Sequence, residues 1–354
     1  MTLCGAMYSG ASFVAFGDVM LSRRFAQPVP LPTTIGSTDD ESLVTPDGYS
    51  PSRLHQKIVL INANTLMLWS GLYTKARLFY RYLCSCLSSC RPTPDEVRRI
   101  ISRFPDSLNP EDIEICVIVI DKNDYAHPMT LNTVMYPLET IDGFLTLGSG
   151  TEDAFNPLLQ DIIESAILSN KCAMSALRFF GSALIQQSLH GYGLQKSWGG
   201  GFEIVVKSEV GFTKINEILV RGWTVHKDQV WKLVPTKYWF FQAYENGILK
   251  VFPITPNDPS LSYNPFVAKS FDPRSRKECL IGSQTPSHVI DLTFPITYSM
   301  SNPNGMMINI AASDCLIEKV DLDPTGYKVS RNIKAELDLL WSFLSEFRKR
   351  GVVL

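Results

Sequence analysis

The chain has 354 residues, of which 45% are hydrophobic and 19% are charged, and its formal net charge is -2. This length and composition are typical of a globular protein with one large core or two ordinary ones. The near-balanced charge gives no electrostatic reason to expect nucleic acid or an anionic membrane as a partner, so we predict neither.

The N-terminus and the cysteines indicate a cytoplasmic protein. The first residues lack the basic start and long apolar core of a signal peptide, and no apolar run approaches the ~20 residues of a membrane span. The eight cysteines lack the spacing of a disulfide scaffold. Cys84, Cys86 and Cys90 cluster in one predicted helix, but no second ligand pair stands nearby at zinc spacing. We therefore predict reduced, buried or half-buried thiols, no metal site and no cofactor.

The first elements in chain order are two short strands, at residues 2–8 and 12–21, joined by a turn. A stretch rich in proline and glycine follows over residues 23–52, and its lack of periodicity predicts a long insertion loop. Further strands are predicted at residues 57–61, 66–69, 113–120, 133–136, 143–147 and 202–207.

Helical spacing separates these strands in two places. One helix is predicted over residues 73–87, and the next begins at Thr93, with Pro94 in its first position and Glu96 completing a capping box. Two more helices fit residues 152–168 and 171–190. The order is therefore strands, helix pair, strands, helix pair and strands.

This order predicts an α+β fold. Two antiparallel sheets packed face to face, with a helix pair on each outer side, would bury every apolar face. We thus expect a four-layer αββα sandwich over residues 1–207. Residues 208–354 are predicted to form a β-rich C-terminal extension of unknown role, ending in an amphipathic helix near 331–349. Its strand candidates are residues 237–244, 249–254, 289–298 and 306–311.

Thr2 is the first candidate for chemistry. A small residue after Met1 permits removal of the initiator methionine, which would leave Thr2 with a free α-amine. Such a residue carries its own base, because the hydroxyl can attack while an amine with a pKa of about 7.7–8.0 accepts the proton. The hydroxyl also needs a nearby positive charge, and the developing oxyanion needs a backbone N–H donor.

The rest of the chain offers these groups at a particular spacing. Asp18 follows Thr2 by sixteen residues, Lys57 opens a predicted strand, and Gly71 follows Lys57 by fourteen residues where strand gives way to helix. This spacing resembles the active-site frame of the proteasome β subunits, which are N-terminal-nucleophile hydrolases, and of the simpler bacterial two-ring protease of that family. Ser149, within Leu-Gly-Ser-Gly-Thr at 147–151, is similar to the serine of the family's strand-to-helix loop. The resemblance covers residues 2–207.

The resemblance implies a role for each of the five residues. Thr2 would be the nucleophile and its α-amine the general base. Lys57 would lower the pKa of the Thr2 hydroxyl, and Asp18 would hold Lys57. The Gly71 N–H would form the oxyanion hole, and Ser149 would support the amine. The implied substrate is a peptide or another amide, and the implied assembly is a homo-oligomer.

Departures from the family pattern keep a second hypothesis open. Met20 stands where the family carries a basic residue, and the family's Asp and Ser near residue 197 lack a clean counterpart, since Ser197 matches only with a shift. These departures favour a proteasome-like structural or binding subunit without catalysis. A zinc hydrolase or a serine triad is poorly supported, because neither His-Glu-x-x-His nor Gly-x-Ser-x-Gly occurs.

Overall fold

The chain folds into a stack of mostly antiparallel sheets and a few helices. The computed structural model describes residues 2–9, 12–35, 43–87, 91–105, 110–133, 135–138, 141–150, 172–191, 193–194, 197–227, 231–256, 263–271, 288–295, 317–319 and 327–329.

The described elements fall into a strand-rich first third, three helices and a strand-rich C-terminal part. The strands before residue 150 are β1 Cys4–Ser9, β2 Ser12–Asp18, β3 Met20–Arg24, β4 Tyr49–Leu54, β5 Ile58–Asn62, β6 Thr65–Gly71, β7 Ile113–Ile120, β8 Ala126–Leu131, β9 Met135–Leu138 and β10 Ile141–Leu147. The helices are α1 Tyr73–Cys86, α2 Pro94–Ser102 and α3 Cys172–His190. The later strands are β11 Phe202–Ser208, β12 Gly211–Lys214, β13 Ile218–Lys227, β14 Trp231–Pro235, β15 Trp239–Glu245, β16 Ile248–Ile254, β17 Phe266–Ala268, β18 His288–Pro295, β19 Ile317–Lys319 and β20 Tyr327–Val329.

Three sheets form the body of the protein. The first six-stranded sheet has the order β12-β11-β2-β1-β10-β9, and the four-stranded sheet has the order β5-β6-β7-β8. The second six-stranded sheet has the order β14-β13-β15-β16-β17, with β18 added in parallel to β13. Two two-stranded sheets, β3-β4 and β19-β20, complete the described sheets.

The four-stranded sheet packs against the first six-stranded sheet, and β7 shows why. Its run of apolar residues alternates between two cores: Cys116 and Ile118 face the first six-stranded sheet, whereas Ile115 and Val117 face α1 and α2. Side chains of successive strand residues point to opposite faces, so a strand buried on both faces is apolar throughout. The prediction of a buried strand at residues 113–120 is therefore confirmed.

The predicted starts of the first two helices are also confirmed. Pro94 is the first residue of α2, and the Thr93 hydroxyl accepts the Glu96 N–H at 3.2 Å. That bond satisfies one of the backbone donors that a helix leaves unpaired at its start. The apolar side of both helices covers the outer face of the four-stranded sheet.

α3 lies between the two six-stranded sheets, because both of its sides are apolar. Phe180 contacts the first six-stranded sheet, with its ring 5.5 Å from that of Phe16 and 5.4 Å from that of Phe202. On the other side of the helix, Ile185 lies against Gly222 of β13. One continuous core joins α3 to both sheets.

The expected αββα sandwich is therefore wrong. The described fold is β-rich, and the C-terminal strands build a sheet over α3, where the sandwich would present a helix pair to solvent. A helix with apolar residues on both sides needs a second partner, and strands β13 and β18 provide it. The helices predicted at 152–168 and 331–349, and the strand at 306–311, lie outside the described residues.

The predicted insertion loop over residues 23–52 is partly regular. β3 and β4 pair as antiparallel strands across it, and a short 3-10 helix at Pro32–Thr34 lies between them. Leu31 and Leu54 are buried with Leu249 and Val251 of β16. The segment therefore packs against the second six-stranded sheet.

We predict that Phe180→Ala destabilises the protein by about 3–5 kcal/mol, because it leaves a cavity among packed aromatic rings. The free energy of unfolding from urea titration measures this. Leu78→Ala is the control, since Leu78 is exposed on α1, and we expect its effect to stay within about 0.5 kcal/mol. Equal effects of the two substitutions would contradict the position of α3 in the core.

Candidate active site

The structure brings Thr2, Asp18 and Lys57 together. Thr2 lies just before β1, Asp18 ends β2, and Lys57 lies just before β5. The Lys57 ammonium donates a hydrogen bond to the Thr2 hydroxyl, and Lys57 Nζ lies 3.9 Å from Asp18 Oδ1. All three residues are buried, and none is more than 1% exposed. A hydroxyl and an ammonium in direct contact, with a carboxylate behind them, thus share one interior site.

Asp18 is held by backbone N–H groups from three segments of the chain. Its carboxylate accepts hydrogen bonds from Leu3 N at 2.9 Å, from Met20 N at 3.0 Å and from Gly199 N at 3.0 Å. The contribution of Met20 to the site is therefore its backbone N–H group, which binds Asp18. The contact from the segment near residue 197 also comes through a backbone, that of Gly199. Asp18 fixes the residue after Thr2 and orients Lys57 at the same time.

Burial opposes charge on both partners of the ion pair. It raises the pKa of Asp18, while Lys57 and the backbone N–H donors act in the opposite direction. It lowers the pKa of Lys57, while Asp18, Cys4 and Glu203 act in the opposite direction. The neighbours thus offset part of the effect of burial, and a lysine of lowered pKa gives up its proton more easily than one in solvent.

An aromatic cluster forms the floor beneath Lys57. The ammonium lies 5.1 Å from the centre of the Trp69 ring. Trp69 in turn packs against Phe271 and His55, and Tyr73 closes the cluster 4.8 Å from the His55 ring. Burial lowers the pKa of His55 to about 4, with Lys57 among the charges that act in the same direction. The imidazole is therefore neutral at physiological pH.

The described part of the predicted loop at 147–151, residues 147–150, lies against Thr2. Gly150 N donates to the Thr2 carbonyl at 3.0 Å. Gly148 has a φ of 93°, and a Cβ there would collide with the same carbonyl, so a side chain is excluded. Ser149 is exposed between these two glycines. The loop therefore lies beside Thr2, and the role of Ser149 toward the amine stays a prediction.

Gly71 lies at the end of β6, next to Ser70. Its φ is 88°, and a Cβ would collide with the Asp112 carbonyl, so glycine is needed for the change from strand to helix. Leu72 N donates to that carbonyl at 2.9 Å. The proposed use of the Gly71 N–H in an oxyanion hole stays a prediction.

Sequence reasoning missed Glu114. This residue faces Ser70 across the β6-β7 pair, and its Oε2 accepts the Gly148 N–H at 2.5 Å. Burial raises its pKa, and hydrogen bonds from Gly148 and Ser70 oppose that shift. Glu114 thereby supports the loop that holds Thr2. The sequence did contain a sign of this residue, because Glu114 is the one carboxylate in the apolar run of β7.

The predicted cysteine cluster lies away from these residues. Cys84 and Cys86 are exposed on α1, and Cys90 lies outside the described residues. The prediction of buried or half-buried thiols is therefore wrong for these two.

Comparison with known proteins gives no family assignment. Models of known protein families and curated proteins yield no match to this chain. Across the described ranges, none of the helices is long and apolar enough to cross a lipid bilayer.

We predict that Asp18→Asn destabilises the protein by about 3 kcal/mol. The substitution places an amide among backbone donors and leaves the buried Lys57 without its carboxylate. Asp112→Asn is the matched control, because Asp112 also pairs with a lysine, Lys75, but is 59% exposed, and it should cost less than about 1 kcal/mol. Thermal and urea unfolding measure both, and equal effects would contradict the buried pair.

We also predict that the free energy of unfolding falls as the pH drops from about 6.5 to about 4. The folded pKa of His55 is about 4 and lies below its ordinary value of 6.5, so the unfolded chain binds the proton more readily within this window. The loss reaches about 3 kcal/mol. His55→Phe should reduce this acid-dependent loss in urea titrations. An acid-dependent loss of the same size in His55→Phe would contradict this assignment.

Proposed function

We propose that this protein is a threonine-type N-terminal-nucleophile amidohydrolase, in the enzyme class that includes the proteasome β subunits. The observation that carries the proposal is the hydrogen bond from the Lys57 ammonium to the Thr2 hydroxyl, with Asp18 behind the lysine. The reaction requires that removal of Met1 make Thr2 the first residue.

The proposed reaction has two halves. Thr2 Oγ1 attacks the carbon of the substrate's amide, and the hydroxyl proton passes to the α-amine of Thr2. When the tetrahedral intermediate collapses, the carbon–nitrogen bond breaks, and the leaving amine takes the proton. The remaining ester between Thr2 and the acyl group is hydrolysed by water, which the same amine deprotonates. The carboxylic acid product leaves, and the hydroxyl is restored.

Lys57 and Asp18 have supporting roles in this reaction. The ammonium lowers the pKa of the Thr2 hydroxyl by stabilising the ionised oxygen, and Asp18 keeps the ammonium charged. The tetrahedral intermediate also carries a negative oxygen, for which the Gly71 N–H is the proposed donor. We propose a peptide or another amide as the substrate, a cytoplasmic location and a homo-oligomeric assembly.

A different observation favours the second candidate, a structural or binding subunit without catalysis. Thr2 is 1% exposed, whereas a nucleophile must be reached by its substrate. The buried trio would then stabilise the N-terminal strands, and Met1 would be retained. The two candidates therefore differ in the mass of the purified chain and in the reactivity of Thr2.

A peptide epoxyketone distinguishes them, because its adduct requires both a hydroxyl and a free α-amine on the same residue. We predict that the purified chain lacks Met1 by intact-mass measurement and forms one covalent adduct, which peptide mapping places on Thr2. Thr2→Ala and Lys57→Ala should abolish labelling, whereas Lys122→Ala, at an exposed turn, should label at the wild-type rate.

Two outcomes would overturn the enzyme proposal, and a third would refute the role of Lys57 alone. Retention of Met1 in the mature chain would block the amine. An adduct that persists in Thr2→Ala would place the reactive group elsewhere. Unchanged labelling of Lys57→Ala would refute the role of the lysine, even if Thr2 were reactive.

A further inference from the structure

A second buried charge cluster lies behind Lys57, on the side away from Thr2. It consists of Glu203 on β11, Lys214 on β12, Tyr244 on β15 and Gln56, which lies just before Lys57 in the chain. We name it the anchoring cluster. Glu203 is fully buried, and the other three are each no more than 8% exposed. Buried charges of this kind are costly unless they are fully paired and hydrogen-bonded.

The two oxygens of the Glu203 carboxylate accept hydrogen bonds from different groups. Oε2 accepts the backbone N–H of Lys57 at 2.6 Å and that of Ile58 at 3.0 Å. Oε1 accepts the Lys214 ammonium at 2.5 Å and the Tyr244 hydroxyl at 3.0 Å. The carboxylate therefore joins the start of β5, where the lysine of the candidate site lies, to two other strands.

The C-terminal strands contribute the outer contacts of the cluster. Tyr244 belongs to β15, and the Gln56 amide donates to the Gly247 carbonyl at 2.8 Å and to the Ala268 carbonyl at 3.0 Å. Lys214 Nζ donates to Gln56 Oε1 at 2.7 Å and to the Ile58 carbonyl at 2.8 Å. Both residues that flank Lys57 in the chain are thus held by this network, which reaches the second six-stranded sheet.

We propose that Glu203 is a positioning residue for Lys57, and that the C-terminal sheet completes the active site through it. This inference rests on the proposed function, because it concerns the lysine that activates Thr2. Glu203 fixes the backbone of Lys57 by direct hydrogen bonds and adds a negative charge near the ammonium. Within residues 208–354, Lys214 and Tyr244 then support the site, because both side chains bind this carboxylate.

The charges around Lys57 allow the proposal to be tested, because they set the pKa of Lys57. Asp18 and Glu203 favour the ammonium and oppose the fall in the Lys57 pKa that burial causes, whereas burial raises the pKa of Cys4 and keeps its thiol uncharged. Lys214 lies on the far side of Glu203, and neutral His55 lies beyond the Trp69 ring. Loss of the Glu203 charge alone would leave Lys214 uncompensated, so the pKa of Lys57 would fall further. Loss of both charges together would lower it less, because no uncompensated positive charge remains.

The experiment measures the rate at which the epoxyketone labels Thr2 as a function of pH. In the wild type, we expect the labelling rate to fall at low pH, where the α-amine is protonated (the acid limb). We expect it to fall again at high pH, where Lys57 loses its proton (the alkaline limb). Glu203→Gln should lower the maximal rate by about 10–100-fold, because the lysine is displaced. It should also move the alkaline limb about one pH unit lower, with the acid limb unchanged.

Two further variants separate charge from packing. Glu203→Gln combined with Lys214→Met removes both charges, so the alkaline limb should return toward its wild-type position. Tyr244→Phe removes one hydrogen bond but no charge, so it should lower the thermal midpoint while the alkaline limb stays in place. Circular dichroism verifies that each variant is folded before its rate is compared.

The outcomes of the two proposals are distinct. Absence of wild-type labelling overturns the proposed function. If the wild type labels Thr2 but folded Glu203→Gln gives the wild-type rate and limbs, the proposed function stands and the role of Glu203 is refuted. A shift of the limb in Glu203→Gln that persists in the double variant would refute the charge argument.

Discussion

The structure depends on keeping one lysine charged in the interior. Lys57 lies at the meeting point of the four-stranded and the first six-stranded sheets, with its side chain toward Thr2 and its backbone toward Glu203. A lone ammonium there would lose its proton or destabilise the fold. Asp18 on one side and Glu203 on the other oppose this, and each carboxylate accepts backbone N–H groups from other segments of the chain. The arrangement of the strands is thus tied to the need to balance the buried charge of Lys57.

That constraint explains why distant segments of the chain meet. The β1-β2 hairpin alone would carry Thr2 and Asp18, but it offers no cation. Lys57, just before β5, contributes the cation, β11 contributes the second carboxylate, and β15 contributes the tyrosine that holds this carboxylate. Aromatic packing adds to the electrostatic effect, because the ring of Trp69 lies beneath the ammonium and is itself fixed by Phe271. The reactive group proposed for catalysis is therefore supported by strands from both halves of the chain.

The sequence predicted local features well and long-range ones poorly. The distance from Thr2 to Asp18 follows from a hairpin in which Cys4 pairs with Gly17, so spacing along the chain suffices to place both residues. The caps of α2 and the alternation of β7 are equally local. The αββα prediction failed because apolar strands do not specify which layer they will cover, and the parallel pairing of β13 with β18 has no signature in either strand. Glu114 and Glu203 were visible as single carboxylates within apolar runs, but their partners come from other elements.

The location of α3 between two sheets has a consequence for biosynthesis. The strand β18, which covers the helix, ends at residue 295, more than a hundred residues after the helix ends. A nascent chain released only to residue 207 would present one apolar side of α3 to water and would lack the Tyr244 hydroxyl. Domains form as units while they emerge from the ribosome, and exposed apolar surface in that interval attracts chaperones or other nascent chains. The order of synthesis thus delays completion of the Thr2 site until most of the chain has emerged.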